Sequence, residues 1–157
     1  MSGETGGCQC GAVRFRVTGD LGRPSICHCR MCQKAFGGFY GALVSVKVAD
    51  LSWTRGAPKR FASSNKVDRG FCQACGTPLT FEWSRAEIDL AIATFDDPMP
   101  LKPVMQMATD AALPWIGDMA DLPERSAQEA AQAQGHYDSI RSNQHPDHDT
   151  DHWPARP

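Results

Sequence analysis

Long apolar runs are missing from this 157-residue sequence; stretches such as Ala91–Ala93 fall far short of the ~20 residues a membrane-spanning helix needs. Also missing from Met1–Thr5 is a basic segment followed by an apolar one, which sets the expectation of no secretory leader. The net charge is only -2, too small and of the wrong sign for a generic nucleic-acid binder. Neither a membrane nor a nucleic acid is therefore the expected partner. Core-forming residues are not scarce. With 41% hydrophobic and 22% charged residues the chain can bury a core, and wholesale disorder is excluded. A mass of 17.1 kDa fits one domain, or one domain and a tail.

Charge and pattern divide the chain unevenly. Through Lys102 there are 13 basic and 9 acidic residues, and beyond it 3 and 9, so a front portion of +4 precedes a rear portion of -6. In the front portion Val13, Phe15 and Val17 alternate with arginines, and Val44, Val46 and Val48 share a face within 39–48. Shorter candidate strands fall at 51–53, 60–63, 67–71 and 79–83, and within 88–94 Ile88, Leu90 and Ile92 share a face. Strands at this spacing, with no long helical period between them, predict an antiparallel, mainly β domain. Residues 30–36 suit one helical turn ended by Gly37 and Gly38. Pro114–Trp115 and Leu122–Pro123 read as a segment closing the core. Ser126 and Glu129 have capping-box spacing before a short alanine-rich helix at 127–134. From Gly135 the chain is rich in His, Asp and Pro, with little to bury, and reads as a mobile tail. The expected organisation is a domain over 1–125 and a helix with tail over 126–157.

Seven cysteines, all at or before Cys75, are the outlying feature. An odd number without an export leader does not read as a disulfide framework; clustered thiols in a reducing cytoplasm more often hold metal. Cys8 and Cys10 form one pair, Cys72 and Cys75 another, and glycine follows each, letting the chain turn back and aim N–H groups at the sulfurs. Two such pairs compose a closed tetrahedral zinc site. Cys27, Cys29 and Cys32 remain, three ligands within six residues, which is the composition of a zinc site with an open vertex. Other readings stay open: reduced core thiols, a redox dithiol at Cys72 and Cys75, or a second zinc closed by a His or Asp from elsewhere.

Three segments carry a family resemblance: Gly7–Phe15 with its CxCG, Cys27–Gly37 with its CxCxxC, and Arg69–Thr77 with its CxxCG. Together they resemble the glutathione-dependent formaldehyde-activating (GFA) family, which includes centromere protein V, over the stretch from Gly6 to roughly Pro123. The resemblance implies a β-tent fold of antiparallel sheets pinned by zinc. It implies two Zn²⁺ per chain, a structural ion at Cys8, Cys10, Cys72 and Cys75 and a catalytic one at Cys27, Cys29 and Cys32. It further implies a cytoplasmic carbon–sulfur lyase joining glutathione and formaldehyde, or a related small aldehyde, into the S-hydroxymethyl adduct. Two features depart from the family: Gln106 stands where a histidine is usual, and the acidic, His-containing tail has no expected counterpart. A non-catalytic glutathione carrier or partner-binding module is the rival of a different class. Methionine sulfoxide reduction ranks last, because zinc in that family is held by two CxxC pairs.

Around the cysteines, Arg30 and Lys34 are candidates to meet glutathione carboxylates, against the plainer reading of solvated charges. His28 sits between two ligands; an extended loop would point it away from the sulfurs, to a supporting hydrogen bond or the surface, with acid–base catalysis the sharper alternative. Phe36, Phe39 and Tyr40 read as core before pocket. His145, His148 and His152 read as part of the solvated tail.

Overall fold

The computed structural model describes residues 3–153. Its architecture is mainly β, two sheets with few short helices. The smaller sheet contains β1 (Glu4–Gly7), β2 (Arg14–Val17) and β5 (Leu51–Arg55), antiparallel in that order. The larger contains seven strands: β3 (Ser25–Cys27), β4 (Gly41–Lys47), β6 (Lys59–Ala62), β7 (Asp68–Phe71), β8 (Pro78–Glu82), β9 (Glu87–Ala91) and β10 (Met105–Met107). Their spatial order is β10-β3-β4-β9-β8-β7-β6.

Alternation along β4 and β9 builds the core. Val44 pairs with Leu90 and Val46 with Ile88, and all four are buried on one face of the larger sheet. Phe15 and Val17 of β2 meet them from the smaller sheet, and Phe95 packs edge-on against Phe15 at 5.1 Å. Full burial of each such side chain contributes about 1.5–3 kcal/mol, so this junction is the main apolar support of the domain. A second cluster joins Val13 and Leu79 to Cys8 and Cys72, so the first and third cysteine groups sit where the two sheets meet.

Helix α1 (Arg30–Phe36) begins where Cys29 caps it, its sulfur accepting from the Cys32 N–H, and ends at Gly37 with φ 60°. Helix α2 (Ala127–Ser139) carries the expected capping box between Ser126 and Glu129, but runs five residues beyond the alanine-rich stretch and buries nothing. Strands β1, β3 and β10 have no counterpart in the sequence reading. β10 lies parallel to β3, a departure from the all-antiparallel expectation. The segment expected to close the core does not enter it: Trp115 is 41% exposed and meets the exposed Phe39 ring edge-on at 4.9 Å.

Where a mobile tail was expected, residues 143–153 return to the smaller sheet. The His145 N–H donates to Gln9 O at 2.7 Å, and His145 is buried. Asp149 bridges Arg14 at 2.9 Å and Arg16 at 2.8 Å. Arg55 reaches both the Thr150 carbonyl and Gly11 O, and the Trp153 indole N–H donates to Cys10 O at 2.7 Å. Charge complementarity explains the docking: an acidic segment lies on arginines that β2 and β5 present together.

Candidate functional site

The first and third cysteine groups form related turns, closed by a glycine three residues after Cys8 and four after Cys72. The Cys8 N–H donates to Val13 O at 2.9 Å and the Gly11 N–H to Cys8 O at 3.0 Å; the Cys72 N–H donates to Thr77 O at 2.9 Å and the Gly76 N–H to Cys72 O at 2.8 Å. Closing each turn takes a left-handed residue, and Gly11 at φ 76° and Gly76 at φ 79° supply it without a Cβ penalty. The four sulfurs lie within 4.8 Å of one another, with Cys8 to Cys10 at 3.7 Å and Cys10 to Cys72 at 3.9 Å. Sulfurs ~2.3 Å from one tetrahedral zinc stand roughly 3.8 Å apart, so the spacing fits such an ion. The Val13 N–H points at the Cys8 sulfur at 3.2 Å. Burial pushes the Cys8, Cys10 and Cys72 thiols up. At Cys75 burial acts the same way, yet hydrogen bonds from Thr77 and Cys10 outweigh it and bring the thiol down to about 6.

Cys27 ends β3, Cys29 caps α1 and Cys32 lies in its first turn; the three sulfurs fall within 4.8 Å of one another. Among the described residues no other Cys, His, Asp or Glu joins them. Burial would raise the Cys29 thiol, but hydrogen bonds from the Cys32 backbone and from the Cys32 and Cys27 side chains lower it. Cys32 is pushed up to about 12 by burial, against the pull of Arg69. Arg69 is 4% exposed; its Nη2 donates to the Cys32 sulfur at 3.3 Å and its Nε to Ser63 Oγ at 3.0 Å, while its guanidinium covers the Phe81 ring at 4.8 Å. Three thiolates around a divalent ion carry a formal negative charge, and this fixed cation faces it. The donor set fits a soft divalent metal with one vertex free.

That trio opens on a cavity of about 500 Å³. Strand register explains what lines it. Cys27 and Ser25 of β3 share a face with Leu43 and Ser45 of β4. The same face continues through Asp89 of β9 and Phe81 of β8 to Arg69 of β7, each paired across to the next. The intervening residues, Val44, Val46, Ile88 and Leu90, form the core on the other face. A period of two thus assigns alternate residues to packing and to the cavity.

The structure brings all seven cysteines into the two expected groups, none in a disulfide. The flanking expectations fare differently. Arg30 is exposed and bonds Gln33 at 3.0 Å, and neither it nor Lys34 lines the cavity; the cavity cations are Arg69 and Arg23. His28 does point away from the sulfurs, buried in a second cavity behind β3, where its Nε2 meets Gln106 Oε1 at 2.9 Å and its ring meets Tyr40 edge-on at 5.7 Å. Phe39 and Tyr40 are exposed, not core. Arg69 and Asp89 were missed as site residues, although Arg69 stands three positions before Cys72, a place where a strand aims its side chain to one definite face.

Fold and site together define a class: a β-sheet protein with two cysteine clusters able to hold metal ions, one closed and one opening on a cavity. The family model described as "Glutathione-dependent formaldehyde-activating enzyme" matches residues 4–111, and the chain belongs to the GFA family. It is similar to a Halomonas elongata protein named "Putative glutathione-dependent formaldehyde-activating enzyme", 34% identical over 82 residues that cover 47% of this chain and 52% of that one. It is also similar to an uncharacterized lyase of Schizosaccharomyces pombe, 28% identical over 82 residues, covering 52% of this chain and 59% of that one. The chain therefore matches little more than half the length of either relative. A crystal structure of a Rhodobacter sphaeroides protein shares the fold, with TM-score 0.53, 22% identity, and coverage of 66% of this chain and 99% of that one. The family match ends before α2 and the docked 143–153 segment. No helix among the described residues is long and apolar enough to cross a membrane.

Proposed function

We propose that the protein is a zinc-dependent carbon–sulfur lyase that interconverts glutathione plus formaldehyde, or a related small aldehyde, and the S-hydroxymethyl adduct. One observation carries this reading: the three sulfurs of Cys27, Cys29 and Cys32 meet no fourth ligand among the described residues and face the cavity. Cys8, Cys10, Cys72 and Cys75 hold a structural zinc in this reading, and Cys27, Cys29 and Cys32 a catalytic one. Bound at the trio, zinc supplies a vertex that favours the deprotonated form of an incoming thiol. The chain's own residues do the rest. Arg69 holds Cys32 and offsets the negative charge gathered there. Leu43, Phe81, Met105 and Met107 line the cavity with apolar surface that keeps water from a bound aldehyde. Seven unpaired thiols suit a reducing cytoplasm, the compartment we assign to it.

Exchange spectroscopy by NMR on a glutathione and formaldehyde mixture tests the reading. Zinc-loaded protein is expected to accelerate interconversion at least tenfold over buffer. Glutathione binding without acceleration would replace the lyase with the carrier.

A further inference from the structure

Among the described residues Asp89 is the one carboxylate on the wall of the sulfur cavity, and the proposed chemistry gives it no task. It is half-buried, and Ser45 Oγ donates to its Oδ1. The Trp83 side chain also bonds it. Both groups orient the carboxylate, and neither neutralises it. Among the described residues no cation pairs with it: Arg69 gives Nε to Ser63 and Nη2 to Cys32, its buried Nη1 meets no hydrogen-bond partner, and Phe81 stands between Arg69 and Asp89 on the sheet face. Burial accordingly pushes the Asp89 carboxyl up, the mark of a desolvated acid without a countercharge. Arg23, exposed, lines the same cavity.

The register sets the distance from the sulfurs. Cys27 pairs with Gly41, and Asp89 pairs with Ser45 four residues further along β4, on its other side. By sheet dimensions the two Cα atoms are on the order of 15 Å apart. Formaldehyde cannot span that gap. Two extended peptide residues cover ~7 Å, and the side chains at either end supply the remainder.

We propose that Asp89 is the ammonium-binding residue of a head-group subsite for a thiol peptide, with Arg23 facing the adjoining carboxylate. The inference rests on the reading that the cavity takes a glutathione-like thiol at Cys27, Cys29 and Cys32. It adds which end of that peptide lies where. The γ-glutamyl end carries ammonium and carboxylate on one carbon, and a cavity wall that offers both an acid and an arginine complements that pair; the glycyl end carries a carboxylate alone.

The test is calorimetric titration of the zinc-loaded full chain with glutathione and with desamino-glutathione, which keeps the thiol and both carboxylates but lacks the ammonium. The wild type is expected to bind glutathione at least tenfold more tightly than the analogue. Asp89→Asn should bind both at the analogue's level, raising KM with kcat retained. Equal affinities in the wild type overturn the subsite, and that comparison needs no variant to fold. A preference retained by Asp89→Asn also overturns it, as does a fall in kcat at unchanged affinity, which would make Asp89 a proton-transfer group. An intact preference without adduct interconversion sinks the lyase and leaves the subsite standing. A failure of the wild type to bind glutathione sinks both.

Discussion

Gly11 and Gly76 share a left-handed backbone but not their surroundings. A Cβ at Gly76 would meet nothing within 4 Å, whereas one at Gly11 would strike the His145 ring. Gly76→Ala should therefore cost only the backbone term, about 1–2 kcal/mol. Gly11→Ala adds the displacement of His145 and should cost about 1 kcal/mol more. Urea unfolding of the two variants measures the difference; equal losses would mean that the docked segment contributes nothing to stability. The cysteines offer a second contrast. On the proposed reading of two zinc ions per chain, Cys29→Ser should leave one, with the melting temperature changed by only a few degrees. Cys75→Ser removes a thiol from the cluster joining the sheets and should leave the chain largely unfolded at 37 °C. Metal analysis beside circular dichroism reads both, and similar melting for the two variants would reverse the roles assigned to the clusters.

At the level of elements, the segment 143–153 is the sharpest departure from what composition implies. Its His145 amide, bonded to Gln9 O, should exchange with solvent at least a hundredfold more slowly than an open chain; exchange at the unprotected rate would show that the segment is undocked. Composition could not reveal this contact, because what holds the segment is Arg14, Arg16 and Arg55, some ninety or more positions earlier. Strands β4 and β9 were legible because one face of each is apolar without interruption. The paired cysteine turns were legible because ligand spacing and a following glycine admit few alternatives. Three-residue strands such as β3 and β10 show no period, and their residues face one cavity or the other instead of the core. Arg69 and Asp89 stayed hidden for a related reason. A charge at alternate strand positions reads as solvent-facing until pairing shows that its face lines the cavity on which the cysteine trio opens.

Across the whole molecule, acid stability follows from the Arg14 and Asp96 pair, which ties β2 to the turn after β9 at 2.6 Å with both side chains largely buried. Burial would raise the Asp96 carboxyl, but hydrogen bonds from Arg14 and Thr5 overcome it and hold it below the ordinary range. A carboxyl depressed in the folded state stabilises fully above its unfolded value, near 4, and ceases to do so as pH falls through the folded value. Asp96→Asn should thus cost about 2 kcal/mol at pH 7, and the gap to wild type should narrow progressively as pH falls below about 4. A gap unchanged at pH 3 would refute the assignment. The larger sheet carries a different consequence. Its central strands show core residues to one side and cavity residues to the other, so inserting or deleting a single residue within β4 or β9 would exchange the two sides at a stroke. Descendants of this chain are free to change the lengths of their connecting loops, while the lengths of those two strands are held constant by packing and chemistry at once.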